Sequence, residues 1–341
     1  MKKLSHATGR GVRSLFGGHQ SGWPLWFKRH PALSGVAVAS AVLVASAVVN
    51  DQLARRAERL NPPAGQFLDI EGVRLHYVER GEGPVLVVLH GNGSMIEDIE
   101  ASGLVDLASK RHRVIAFDRP GFGHSSRPRG TRWTADQQAK LIHAALTQLG
   151  VTQAIVLGHS WGASVAMAMG LNFPQMVRGL ILASGYYYPT PRLELVLPSA
   201  PAVPGLGDVL QHTIAPVASR LMWPVLLRKM FGPAPVPAKF DAFPKEMAFR
   251  PSQIRAEAVE TAMMIPIAAA SCSEYGRLTI PVALVAGAGD RLIDPDKQSG
   301  RLHRDIAQST FHRVAGSGHM VHQSDTGAVM AAVDRIAAQV A

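Results

Sequence analysis

Five short, almost unbroken apolar runs recur along this chain and restrict its fold more than any other feature. They are PVLVVLHGNG at 84–93, RVIAFD at 113–118, AIVLGH at 154–159, GLILAS at 179–184 and PVALVAG at 281–287. A strand with one wet face alternates apolar and polar residues, so runs without a polar face predict strands covered on both sides. Helical stretches separate them. One begins at Thr134, where Thr134 and Gln137 form a T-x-x-Q capping box and Gly150 follows the end. Strands and helices alternating in this way predict a doubly wound α/β fold on a mostly parallel sheet.

Ahead of these runs, QFLDIEGVRLHYVERGEG alternates around Gly72 and predicts a two-stranded hairpin. Between 186 and 277 the pattern changes to many prolines and helical apolar stretches such as VASRLMWPVLLRKMF, with no convincing buried strand. A helical cap over the carboxyl edge of the sheet is expected there, where a ligand pocket belongs. The core then comprises 66–185 and 278–341. With 341 residues, 47% hydrophobic and 18% charged, one large domain with an insertion is sufficient and global disorder is excluded.

The segment 31–49, PALSGVAVASAVLVASAVV, carries no charge and approaches the ~20 residues that a helix needs to cross a bilayer. A basic segment, 1–30, precedes it, and 50–65, NDQLARRAERLNPPAG, reads as a polar tether closed by Pro62 and Pro63. Ala45, Ser46 and Ala47 offer an A-x-A cleavage pattern, but the long charged lead is unlike a signal peptide, so an uncleaved transmembrane anchor is expected. More Lys and Arg precede the segment than follow it. The folded domain that follows is therefore expected on the far side of the membrane, the periplasmic side of a bacterial inner membrane.

Of the net charge of +10, residues 1–60 hold +7, from nine basic and two acidic side chains. The remainder is ordinary for a globular domain, and no basic helix interleaved with aromatics points to nucleic acid. One cysteine, Cys272, excludes an intramolecular disulfide and reads as a small buried apolar residue. No Cys and His cluster has metal-ligand spacing, so neither metal nor cofactor is expected, and no obligatory protein partner is evident.

Gly158-His159-Ser160-Trp161-Gly162 fits G-x-S-x-G, directly after an apolar strand and before the helical run ASVAMAMGLNF. Small neighbours allow a strained turn that raises the Ser160 hydroxyl above the sheet. Being at a helix N-terminus, the turn also offers the Trp161 N–H to a developing oxyanion. The second donor is expected from His90-Gly91-Asn92-Gly93, with Asn92 N–H first and Gly93 next. A serine hydroxyl is a poor nucleophile near neutral pH and needs a base that a third group orients. His319, in GSGH after STFHRVAG, is the expected base; His312 lies inside that strand and His322 is read as starting the last helix. Asp290 is the expected acid in GAGDRLIDPD, with Asp294 its rival or a helix cap and Asp296 a first-turn carboxylate.

HGNG, DRPGFGHS, GHSWG, GAGDRLIDP and GSGHM in this order resemble the α/β-hydrolase superfamily over about 66–341. The anchor, the Arg-rich stretch and PPAGQF resemble membrane-attached bacterial members. The resemblance implies a serine hydrolase acting through an acyl-enzyme on Ser160, carboxylesterase-like, on a small-molecule ester, lactone or lipid-like ester. Epoxide hydrolases and haloalkane dehalogenases of this superfamily carry aspartate where Ser160 stands. Carbon–carbon bond hydrolases use serine but commonly place tryptophan where this chain has Met320; they and a catalytically silent binding protein are the alternatives.

Overall fold

The computed structural model describes residues 30–341, so all but the last residue of the basic segment expected at 1–30 lies outside the described residues. Two compact units are separated at Ala45. In the first, the described residues after His30 belong to helix α1 (Pro31–Leu60), which continues into the second; its apolar part has a mean hydropathy of 2.3 and is unburied, and by length and composition it could cross a membrane.

The second unit, Ser46–Ala341, is built on one eight-stranded sheet. Its strands are β1 (Gln66–Ile70), β2 (Val73–Arg80), β3 (Val85–Leu89), β4 (Arg113–Phe117), β5 (Ala154–His159), β6 (Val177–Ala183), β7 (Val282–Gly287) and β8 (Ser309–Val314). Their order is β1-β2-β4-β3-β5-β6-β7-β8. The β1–β2 hairpin turns at Glu71 and Gly72, both at positive φ, and β2 pairs antiparallel with β4. All other pairings are parallel.

Both faces of the sheet are covered, as its apolar runs require. Along β3, Leu86 and Val88 join one core cluster and Val87 and Leu89 the other, all fully buried. Each such side chain contributes about 1.5–3 kcal/mol relative to exposure. Helices α2 (Ile96–Ala101), α3 (Leu104–Ala108) and, at the C-terminus, Thr326–Val340 pack on the first face. Helices α4 (Ala135–Gln148) and α5 (Trp161–Asn172) pack on the second; α4 starts where the Thr134 hydroxyl accepts from the Gln137 N–H.

The insertion between β6 and β7 is helical, with no strand from 186 to 277 among the described residues. It contains α6 (Leu206–Leu210), α7 (Ile214–Phe231), α8 (Lys245–Ala248) and α9 (Pro251–Ser271). Tyr186, Tyr187 and Tyr188 at its start are all buried. The Tyr188 hydroxyl donates to Asp305, and the backbone N–H groups of Tyr187 and Tyr188 both donate to the Gln298 side-chain oxygen.

Three expectations are corrected. Residues 50–60 are not an irregular tether: they continue α1, because LARRAERL is made of good helix formers and only Pro62 and Pro63 end the run. This end of the helix is docked, with Asn50 and Ala57 buried and Asn50 donating to the His212 and Thr213 carbonyls at 3.0 Å. Cys272 is only partly buried, at the end of α9. His322 does not begin the last helix; it belongs to the separate turn α11 (Val321–Ser324), with α10 (Arg301–Asp305) preceding β8 and α12 (Thr326–Val340) following.

Candidate active site

Ser160 stands between β5 and α5 with φ 53° and ψ −116°, a backbone conformation costly for any side-chain-bearing residue. The flanking glycines show why the turn is possible. A Cβ on Gly158 would lie 2.2 Å from the Gly162 carbonyl oxygen, and one on Gly162 would lie 2.2 Å from the Leu89 carbonyl oxygen. Strand, helix and the loop after β3 therefore meet backbone to backbone beneath the serine.

The His319 ring bridges Ser160 and Asp290. Its Nε2 lies 2.9 Å from Ser160 Oγ, and its Nδ1 lies 2.8 Å from Asp290 Oδ2. Asp290 Oδ1 accepts from the N–H groups of Leu292 and Ile293 at 2.8 and 2.9 Å, which fixes the carboxylate and leaves Oδ2 for the histidine. With Nδ1–H held by the carboxylate, Nε2 is the acceptor for the serine hydroxyl. Asp294 instead takes the N–H groups of Asp296 and Lys297 as a cap, and Asp296 pairs with Arg313 on the surface.

The loop after β3 presses against the serine: a Cβ on Gly91 would stand 3.2 Å from Ser160 Cβ. The Trp161 N–H opens α5, and no described backbone carbonyl takes it or the Asn92 N–H. The Asn92 side chain donates to the Glu257 carbonyl and the Thr261 hydroxyl of α9, tying this loop to the insertion. Gly93, at φ 68°, lies against the Glu257 carboxyl group, whose pKa burial and Glu260 push up to about 7.

A buried arginine holds the loop from below, and sequence reasoning missed its role. Arg119 donates to the His90 and Gly91 carbonyls, both at 2.8 Å, and to Gln138 at 2.9 Å. Its charge is matched by Glu260 of α9 at 2.6 Å, both side chains being fully buried. His90 Nε2 accepts from the Arg119 backbone N–H, and burial together with the Arg119 charge lowers the His90 pKa to about 3. Asp118 accepts from the N–H groups of Ile96 and His124 and pairs with His76 Nδ1 at 2.6 Å. DRPGFGHS is thus a brace for the neighbouring loops; its charged residues at the end of a buried strand were the available signal.

A second buried network underlies His319. His159 Nε2 donates to the His319 carbonyl at 3.1 Å, and His322 Nε2 donates to Asp98 Oδ2 at 3.1 Å. Burial, with the nearby imidazoles of His322 and His319, holds the His159 pKa well below its usual value. Asp98, His159 and His322 bring possible ligand atoms within 4.8 Å of one another. The Asp98 carboxylate accepts from Ser94, Gln323 and His322, while the Nδ1 atoms of His159 and His322 are buried without a hydrogen-bond partner among the described residues. The insertion also reaches the histidine: the Met230 carbonyl, at the end of α7, accepts the His319 N–H at 2.8 Å.

A family model described as the alpha/beta hydrolase fold matches residues 84–326. Among curated relatives, haloalkane dehalogenase 2 of Mycobacterium tuberculosis is 31% identical over 140 residues, 40% of this chain and 47% of that protein. The 2-hydroxymuconate semialdehyde hydrolase of a Pseudomonas species is 32% identical over 133 residues, 38% of this chain and 47% of that protein. The chain spans about half the length of these curated relatives. Among solved structures, a bacterial membrane phospholipase A superposes with a TM-score of 0.65 at 22% identity, covering 92% of this chain and 99% of that one. The enol-lactonase of Burkholderia xenovorans gives a TM-score of 0.65 at 19% identity, covering 80% and 100%.

Proposed function

The chain belongs to the alpha/beta hydrolase fold family, and from that premise we propose that it is a serine hydrolase that cleaves a carboxylic ester through an acyl-enzyme on Ser160. The observation that carries this reading is the hydrogen-bonded chain Asp290–His319–Ser160 at a strained elbow.

In the proposed reaction His319 Nε2 takes the Ser160 proton as Oγ attacks the ester carbonyl carbon. Asp290 stabilises the resulting imidazolium, and the N–H groups of Trp161 and Asn92 receive the oxyanion. As the tetrahedral intermediate collapses, the C–O bond to the alcohol breaks and His319 returns the proton to the leaving oxygen. Water, deprotonated by the same nitrogen, then attacks the acyl-serine and releases the acid.

The nucleophile's chemistry separates this reading from the dehalogenase relatives. Displacing halide from a saturated carbon by a carboxylate leaves an ester that water can cleave, whereas a serine hydroxyl would leave an inert ether. Carbon–carbon hydrolysis remains the second reading, favoured by the similarity to a 2-hydroxymuconate semialdehyde hydrolase. We further propose that 31–49 is a bilayer anchor, that 186–277 is a cap over the site and that the catalytic domain faces the periplasm. Fluorophosphonate labelling of the full chain, lost in Ser160→Ala, with turnover of p-nitrophenyl esters tests the reading. Absence of labelling in folded protein would overturn it, and turnover of vinylogous diketone acids alone would favour the carbon–carbon reading.

A further inference from the structure

Helix α7 carries apolar side chains on two sides, with Arg220, tied to Glu246 and Asn50, the charged residue of its middle turns. On its inner side Trp223, Leu227 and Met230 pack on a cluster that includes Phe231, Phe240, Phe243 and Phe249. On its outer side Ile214, Val217, Leu221 and Val225, spaced by three and four residues, are 54%, 44%, 75% and 52% exposed. Met222 and Leu226 widen this stripe, and its charged members, Arg228 and Lys229, fall in the last turn. A helix with two apolar faces belongs inside a protein core or against lipid.

The start of α7 indicates which of these applies. The carbonyl of Thr213, its N-cap, accepts from Ser46 Oγ at 2.9 Å and Asn50 Nδ2 at 3.0 Å. Ser46 and Asn50 bracket the end of the uncharged stretch 31–49, and Val48 and Val49 beside them are themselves half exposed. Asn50 Oδ1 in turn accepts from Arg220, one turn and a half along α7. The last residues of the uncharged stretch, from Ser46 to Val49, therefore lie at the start of the exposed stripe of α7.

We propose that the outer face of α7 is a bilayer-docking surface that seats the insertion in the lipid headgroup and acyl boundary, so that the substrate class is carboxylic esters resident in the bilayer. The substrate part of this inference rests on the ester-hydrolase reading above; the docking part does not. An interfacial helix of this kind binds through its apolar face lying in the plane of the membrane.

The test uses the full chain in phosphatidylethanolamine–phosphatidylglycerol vesicles, in a Cys272→Ser background, with an environment-sensitive fluorophore on Val217→Cys. Val42→Cys reports insertion of the anchor, and Lys110→Cys serves as the aqueous reference. Docking requires a blue-shifted emission at Val217 and at least twofold quenching by lipids carrying a nitroxide on the acyl chain, with none at Lys110. Quenching at Val42 without quenching at Val217 overturns the docking, and no quenching at either overturns the anchor as well. Shielding at Val217 that disappears below one chain per vesicle assigns the face to a second copy and also overturns it. As a second measurement, Val217→Asp/Leu221→Asp lowers turnover of a vesicle-borne ester at least tenfold relative to a water-soluble short-chain ester; an unchanged ratio counts against bilayer-resident substrate. The quenching readout needs no turnover, so failure of docking and failure of the ester reading are separable.

Discussion

Asp290→Asn is a sharp perturbation of the proposed triad because the structure dictates which way the new amide must face. In the native protein Asp290 Oδ1 accepts two backbone N–H groups, from Leu292 and Ile293, at 2.8 and 2.9 Å. An asparagine must keep its oxygen at that position, since its NH2 group there would face two donors. The NH2 group then points at His319 Nδ1, which has to become an acceptor, so the ring proton moves to Nε2 and the serine loses its base. The same tautomer reversal in serine-protease triads lowers kcat by about 10^4, or roughly 5.5 kcal/mol. Stability should change little by comparison. Three charge-assisted hydrogen bonds, two from the backbone and one with His319, become neutral ones, a loss of about 3 kcal/mol and a Tm lower by several degrees. The assay is kcat for a p-nitrophenyl ester beside a thermal melt. A folded Asp290→Asn enzyme within tenfold of the native kcat would refute both the assignment of Asp290 and the tautomer argument.

Three further outcomes follow from the geometry. Gly162→Ala puts a methyl group against the Leu89 and His90 carbonyls and is expected to lower stability by about 2–3 kcal/mol; a urea midpoint within experimental scatter of the native one would disprove the backbone contact. Glu260→Ala strands the fully buried Arg119 charge and should cost about 3–5 kcal/mol, with kcat falling as the loop after β3 loosens; a loss under 1 kcal/mol would mean that another group takes up the charge. His90, with its folded-state pKa lowered to about 3, stays neutral where the unfolded chain takes up a proton, so its share of stability is complete above about pH 6.5 and is lost as pH falls towards 3. At pH 5 that share is about 2 kcal/mol down; because Glu257, raised to about 7, gains stability over the same interval, the check is the native protein against His90→Gln, and a difference in urea midpoint between the two that is the same at pH 7.5 and 5 would contradict it.

Those features that reside in contiguous residues were legible in the sequence. The apolar runs announced β3 to β7 because a strand buried on both faces has no polar register to obscure it. Glycines at 158 and 162 marked the elbow because backbone contact excludes a Cβ. Pairings between distant residues were not legible. Arg119 and Glu260 are 141 residues apart, and Asp98 and His322 are 224 apart, so neither sequence neighbourhood announces a partner. The end of α1 was misread for the same reason. NDQLARRAERL looks solvated, yet Asn50 finds carbonyls 162 and 163 residues away and Glu58 accepts from Arg250, 192 away.

That docked end of α1 changes how an anchored enzyme can search. A slack tether gives an enzyme a hemisphere of solution in which to meet substrate, with a radius set by the length of the slack. Here Ser46, Asn50 and Glu58 are hydrogen-bonded to the insertion, which leaves no slack between Ser46 and Glu58. With 31–49 in a bilayer, as proposed, Ser160 would stay near the lipid and explore an area more than a volume. Encounter rates would then follow the surface density of substrate, and adding soluble substrate beyond the membrane would change them little.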